Sequence, residues 1–345
     1  MNSLRIFCTR RHKTGLAALG LLAALAGLMS LCLGPVPVAP GEVLFALLGK
    51  GGGTAAQIIL YARLPRTFGC LLAGSALALS GAIIQGVLGN PLAAPNIIGV
   101  NAGAGFFTAL CCALWPARTA AVPLAAFLGA LTGVLLVLFI AERAGASRMT
   151  LVLAGAAVSG MFSAGIDAVV TFFPDALNGY TDFRVGGASS LSLSRILPAF
   201  WLILAAAALL FLLSGALDVL LLGVETARSL GLPARPLRLV LLALAAALAG
   251  AAVSFMGLLG FVGLIVPHMA RRLFGEDRSA VVLAASALGG GLLLTLCDLL
   301  ARCLFAPYIL PVGVVLALLG GPFFLWLLLS GRRGGRRRGA SRRHI

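Results

Sequence analysis

Lys50 lies in Gly49-Lys50-Gly51, the closest approach in this sequence to a phosphate-cradling loop. It falls short, because a P-loop needs an earlier glycine and a Ser or Thr directly after the lysine. Three His, three Tyr and ten Asp or Glu leave few groups for acid–base chemistry. There is no His-Glu-x-x-His pair for an intramembrane metalloprotease and no Gly-x-Ser-x-Gly for a serine hydrolase. Cys8, Cys32, Cys70, Cys111, Cys112, Cys297 and Cys303 form no Cys-x-x-Cys pair, so neither a metal site nor a disulfide framework is expected. An enzyme is not expected, nor a bound cofactor, and any ATP used must be hydrolysed by another chain.

Ion-coupled carriers place ionisable groups at mid-membrane, where such groups are costly. Every carboxylate here, Asp167 and Asp298 included, can be assigned to a span end or a loop in contact with water. An ion-coupled secondary transporter is therefore the alternative reading, not the first. Gln85 and Asn90, with Pro91, close the second apolar segment. They either hydrogen-bond between helices or line an inner gate, and structural bonding is favoured. His268, four residues before Arg272, reads as a helix-end residue and not a metal ligand.

The elements that carry these residues are legible from composition. Of 345 residues, 61% are hydrophobic and 10% charged, against about 25% charged in soluble domains. Mean hydropathy is +1.08. Uncharged runs cover Thr14–Gly41, Thr67–Ala117, Thr119–Ala141, Met149–Ile166, Ile196–Leu217, Leu239–Ala270, Ser279–Cys297 and Cys303–Gly331. Most approach or exceed the ~20 residues that span a bilayer as a helix. They are long and Leu/Ala-rich without period-2 alternation, which selects helices over a barrel.

Two runs exceed one crossing. Thr67–Ala117 breaks at Gly89-Asn90-Pro91-Leu92-Ala93-Ala94-Pro95-Asn96, where two prolines remove donors. Leu239–Ala270 would make about 48 Å of helix, and charge decides it. If it crosses twice, 19 of the 26 Lys/Arg fall on one side and 7 on the other, which is the cytoplasmic bias of basic residues. Ten transmembrane helices follow, with both termini cytoplasmic and an eighth span of about 12 residues. Such a broken helix is tolerated where protein or a water-filled cavity covers it.

The expected organisation is a basic N-terminus over 1–14, a ten-span domain over 15–331, and an Arg-rich tail over 332–345. The net charge of +16 belongs to these flanks. It points to anionic lipid headgroups, not nucleic acid. The first apolar stretch is too long for the core of a signal peptide, and Ser30-Leu31-Cys32 is a poor cleavage site, so it reads as a retained span.

Several segments are more specific than generic membrane sequence. They are Arg63-Leu64-Pro65-Arg66; Gln85 to Asn96 followed by Gly99-Val100-Asn101-Ala102-Gly103-Ala104; and Glu225-Thr226-Ala227-Arg228-Ser229-Leu230-Gly231. Gly260-Phe261-Val262-Gly263-Leu264-Ile265-Val266-Pro267-His268, Leu310-Pro311-Val312-Gly313-Val314 and Gly320-Gly321-Pro322-Phe323-Phe324 follow. In this order, over about residues 60–330, the set resembles the FecCD-type permeases of bacterial ABC importers for iron-siderophores, haem and vitamin B12.

That resemblance implies ten spans in the bacterial inner membrane and a pair of permeases, with the partner a second copy or a paralogue. It also implies two ATPase subunits below and a periplasmic or lipid-anchored substrate-binding protein above. Within loop 218–238 it implies that Glu225, Ala227, Arg228, Leu230 and Gly231 press into the ATPase. Arg63 and Arg302, with Arg66 as a further candidate, are implied to meet carboxylates of the docking protein. The stretch Asp182 to Ser190 matches the family loosely, and no substrate contacts are assigned there.

Overall fold

The computed structural model describes residues 10–145, 148–188, 191–275, 278–304 and 308–340. Residues 1–9 of the basic N-terminus and 341–345 of the Arg-rich tail lie outside it. Among the described residues the chain is all-helical. Ten helices follow the expected spans, here α1 (Arg10–Cys32), α2 (Leu64–Leu88), α3 (Val100–Leu114), α4 (Val122–Arg143) and α5 (Arg148–Phe172). They continue with α6 (Leu193–Leu212), α7 (Ala234–Met256), α8 (Val262–Phe274), α9 (Ser279–Cys303) and α10 (Val312–Ala340). Seven stretches are long and apolar enough to cross a membrane, and α3 and the Val312–Leu327 part of α10 are shorter apolar helices. The short eighth helix expected from charge parity is α8, of 13 residues.

The break before α8 has a local cause. Gly257 ends α7 with φ 76, and Phe261 starts α8 with φ 65. Phe261 is the only non-glycine with positive φ among the described residues, a conformation costly to a side chain with a Cβ. Its ring lies against Gly320 of α10, where an added Cβ would meet a ring carbon at 2.2 Å. Packing on α10 thus holds the strained turn.

Helices α2 and α7 form the centre, with 78% and 72% of their apolar windows buried, whereas α5 has 22%. Lipid gives helices no hydrophobic drive to associate, so close van der Waals packing over small residues must do it. At the α2–α9 crossing a Cβ on Gly74 would stand 2.2 Å from the Gly290 carbonyl oxygen, and at α2–α8 one on Gly81 would stand 1.9 Å from that of Gly263. Hydroxyls add bonds from α2 to α7 and α9. Ser80 donates to the Ala245 carbonyl at 2.6 Å and Ser75 to that of Ala287 at 2.8 Å.

Contacts between helix ends sort them onto two faces. His12 of α1 lies beside Phe274 of α8, Arg272 of α8 stacks over Trp326 of α10, and Asp218 bonds the first residue of α9. On the opposite face Ser30 of α1, Thr67 of α2 and Arg302 of α9 are linked. The first helix therefore begins, and the last ends, on the same face, as an even number of crossings demands.

One boundary differs from the sequence reading. Arg63 to Arg66 were expected in a loop ahead of the second span. Instead Gly53–Leu88 is one helical rod of 36 residues, in which Ile58–Arg63 is π-helical. Pro65 cannot donate to the ladder, and the change of helical period just before it is the common accommodation of such a lost bond.

Candidate functional site

The residues with chemistry fall into four places. The first is the face opposite the chain termini. Arg63 donates to the carbonyls of Leu31 and Cys32 at 2.7 and 2.8 Å, and also to that of Val36. These carbonyls lie at or just beyond the end of α1, where helix C-termini leave acceptors unsatisfied. Arg66 pairs with Asp298 through Nε, at 2.9 Å to Oδ1 and 3.1 Å to Oδ2, and through Nη2 at 2.8 Å. Arg302 pairs with the same carboxylate at 3.1 Å and donates to Ser30 Oγ at 2.6 Å.

The three arginines expected to be displayed toward a docking protein are therefore turned inward, 5%, 8% and 3% exposed for Arg63, Arg66 and Arg302. Asp298, expected in contact with water, is fully buried. The reason is mutual: the helix-end carbonyls and one carboxylate are available at bonding distance, and leaving a guanidinium unpaired inside the bundle is expensive. The cluster still holds more positive than negative charge, three guanidinium groups against one carboxylate. Asp298 is thus an ion-pair partner of two arginines.

The second place is the inner end of α2. Gln85 is 2% exposed and donates to the carbonyls of Gly263 and Leu264, 3.2 Å each. Four residues after Gly263 stands Pro267, which has no N–H to complete that helical bond. Gln85 supplies the missing donor. Its own oxygen accepts from Arg271, which also donates to the Ala82 carbonyl at 3.0 Å. Asn90 closes the turn after α2, with Oδ1 accepting from the Leu92 N–H at 3.0 Å. Gln85, Asn90 and Pro91 line one cavity of about 330 Å³, together with Leu217, Leu221 and Arg271.

The third place is loop 218–238. Ser214–Leu221 is helical, Gly223 turns the chain with φ 114, and a short helix Val224–Ser229 follows. Ala227 is fully buried and anchors that helix, whereas Leu230 is 62% exposed. Glu225 and Arg228 are exposed and face one another at 3.4 Å. Gly231 takes φ 82 and turns the chain toward α7.

The fourth place was not assigned from sequence. On α5 the residues Gly160, Ser163, Ala164, Asp167, Ala168 and Thr171 form one exposed row, small or polar at helical spacing. A cavity of about 420 Å³ at its outer end is lined by Ser163, Asp167, Thr171, Tyr180 and Arg184. The signal in the sequence was the spacing of four from Ser163 to Asp167 to Thr171, hidden by the apolar background.

A bundle centred on two buried helices, with seven stretches long and apolar enough to cross a membrane, is that of a multi-pass membrane protein. The chain belongs to the FecCD transport family, which matches residues 21–330. It is 36% identical over 325 residues to the Fe(3+)-citrate import system permease protein YfmE of Bacillus subtilis (strain 168), covering 93% of this chain and 97% of that one. It is 39% identical over 288 residues to the hemin transport system permease protein HmuU of Yersinia pestis, covering 80% and 84%. It is 38% identical over 330 residues to the vitamin B12 import system permease protein BtuC of Salmonella paratyphi A, covering 94% and 97%. Among solved structures, a transporter assigned to the metal-chelate ABC type, in an inward-facing conformation, aligns with a TM-score of 0.81 at 29% identity. The alignment covers 92% of this chain and 99% of that one.

Proposed function

We propose that this chain is the permease subunit of an ABC importer in the bacterial inner membrane, carrying an iron-siderophore, haem or cobalamin-type chelate inward. The observation that carries the reading is the helix Val224–Ser229. It is seated by one buried alanine, its charged side chains are exposed, and it lies in a family of transport permeases whose present member has no P-loop of its own. Glu225, Arg228 and Leu230 present that helix to an ATPase, with Ala227 and Gly231 allowing close approach.

The exposed row on α5 suits a path shared with a second permease copy or paralogue. Small side chains leave room, and Ser163, Asp167 and Thr171 keep the wall wet. At the outer face, Arg63, Arg66 and Arg302 form a buried surplus of positive charge beneath residues 33–39. The carboxylates of a binding protein complement that surplus through its field and not by direct pairing, since the three guanidinium groups are already held by the carbonyls at the end of α1 and by Asp298. Gln85, Asn90 and Pro91 border the inner end of the path, their cavity opening between α2, the Ser214–Leu221 helix and α9.

The test is uptake in cells or proteoliposomes containing the whole transporter. R63E/R302E is expected to weaken binding-protein affinity and to abolish uptake. Because both arginines also bond within the bundle, its thermal midpoint is compared with that of R63Q/R302Q, and a loss of affinity that follows stability alone overturns the docking role. Full uptake by the double variant overturns the docking role. Uptake by the purified chain alone under an ion gradient overturns the ATP-driven reading.

A further inference from the structure

We propose that the groove between α4 and α6 is a binding site for a phospholipid of the outer leaflet, its phosphate on Arg195 and one acyl chain along the groove. Helices α4 and α6 both pack on α7 and barely on each other. They leave a cleft of about 530 Å³ with Ala251 of α7 as its floor. Leu124 and Phe127 form one wall, Pro198 and Leu202 the other. The outer surfaces of the same helices carry Leu124, Leu197 and Trp201 at 62%, 55% and 61% exposure, so the cleft opens toward hydrocarbon and not toward the path on α5. Apolar space open to hydrocarbon takes an acyl chain, since water has too few polar partners there.

The charge at its mouth selects the headgroup. Arg195 is exposed in the first turn of α6 and lines the cleft. Among the described residues no carboxylate pairs with it. Asp175 and Asp182 line a neighbouring cavity that also reaches Arg195, yet neither bonds it. From Arg195 to Leu202 the cleft descends about 10 Å at helical rise, from headgroup depth toward the middle of one leaflet. A guanidinium without a counter-ion above an apolar trough fits an anionic phospholipid. The bound lipid would wedge α4 and α6 apart on α7.

The experiment is native mass spectrometry of the delipidated full-length transporter, resupplied with phosphatidylglycerol or with phosphatidylcholine of the same acyl chains. Glycerol phosphate serves as the chainless control. The intact protein is expected to retain phosphatidylglycerol preferentially and to ignore glycerol phosphate. R195Q is expected to lower that retention about tenfold, and R195K to keep most of it. A251F, which fills the floor, is expected to lower retention of both lipids at this site. Equal retention of the two lipids by the intact protein, retention by R195Q equal to that of the intact protein, or binding of glycerol phosphate alone would each overturn the proposal.

Discussion

Asp298 and Gln85 show how a membrane bundle treats polar groups it cannot hydrate. Each is almost wholly enclosed, and each holds together helices far apart in sequence. Asp298 pairs with Arg66 and Arg302 at once, so removing it strands two guanidinium groups. D298A is expected to destabilise the purified chain by about 3–5 kcal/mol, read as a lower midpoint in thermal unfolding. Gln85 completes the bonding that Pro267 interrupts, and Q85L leaves the Gly263 and Leu264 carbonyls without their donor. A loss of about 1–3 kcal/mol is expected there. An unchanged midpoint for either variant would show that the bond counts for nothing. Half of this was legible in the sequence. Asp298 and Arg302 stand four apart on one helix face, but Arg66 is 232 positions away from Asp298 and nothing local announces it.

At the scale of elements, α9 is held by a carboxylate at each end. Outward it carries Asp298. Inward, Asp218 Oδ1 accepts from the N–H of Ser279 at 2.7 Å, a cap supplied from another helix to donors that every helix start leaves open. Asp218 sits in the Ser214–Leu221 helix, immediately before the exposed Val224–Ser229 helix. If the Val224–Ser229 helix meets an ATPase as proposed, its movement has a bonded route to α9 and, through the Gly74–Gly290 crossing, to α2. D218A removes a cap worth about 1 kcal/mol. It is expected to lower uptake per ATP hydrolysed severalfold while hydrolysis continues, and D218N, which keeps the acceptor, to preserve most coupling. If D218A transports as much per ATP as the native chain, the bond is only structural. The charges and prolines of loop 218–238 were legible in the sequence; the contact with α9 was not, since Asp218 reads there as an ordinary loop acid.

At the scale of the whole molecule, parity and packing agree that the first helix begins and the last ends on one face. The basic residues assign that face to the cytoplasm. Lys50 and Ser229 are exposed on opposite sides under this orientation. In a background with Cys32 and Cys303 replaced by Ser, since Cys303 is itself exposed on the outer face, a membrane-impermeant maleimide added to intact cells is expected to label K50C, and to label S229C only after permeabilisation. The reverse pattern would invert the orientation and exchange the docking and motor faces with it.

Sequence by itself determined the class of structure, because hydrocarbon permits a backbone so few solutions: long uncharged runs must be helices. It also marked α8 as short, since the charge count required a crossing that the residues could barely supply. Only the tertiary structure decided what the arginines do. A guanidinium near a span end reads from sequence as a water-facing group, and whether it turns outward or inward depends on carbonyls and a carboxylate that other helices bring to it. The same holds for the exposed row on α5 and the cleft beside Arg195. Both are defined by which helices fail to touch, and that follows from packing distances no single segment encodes.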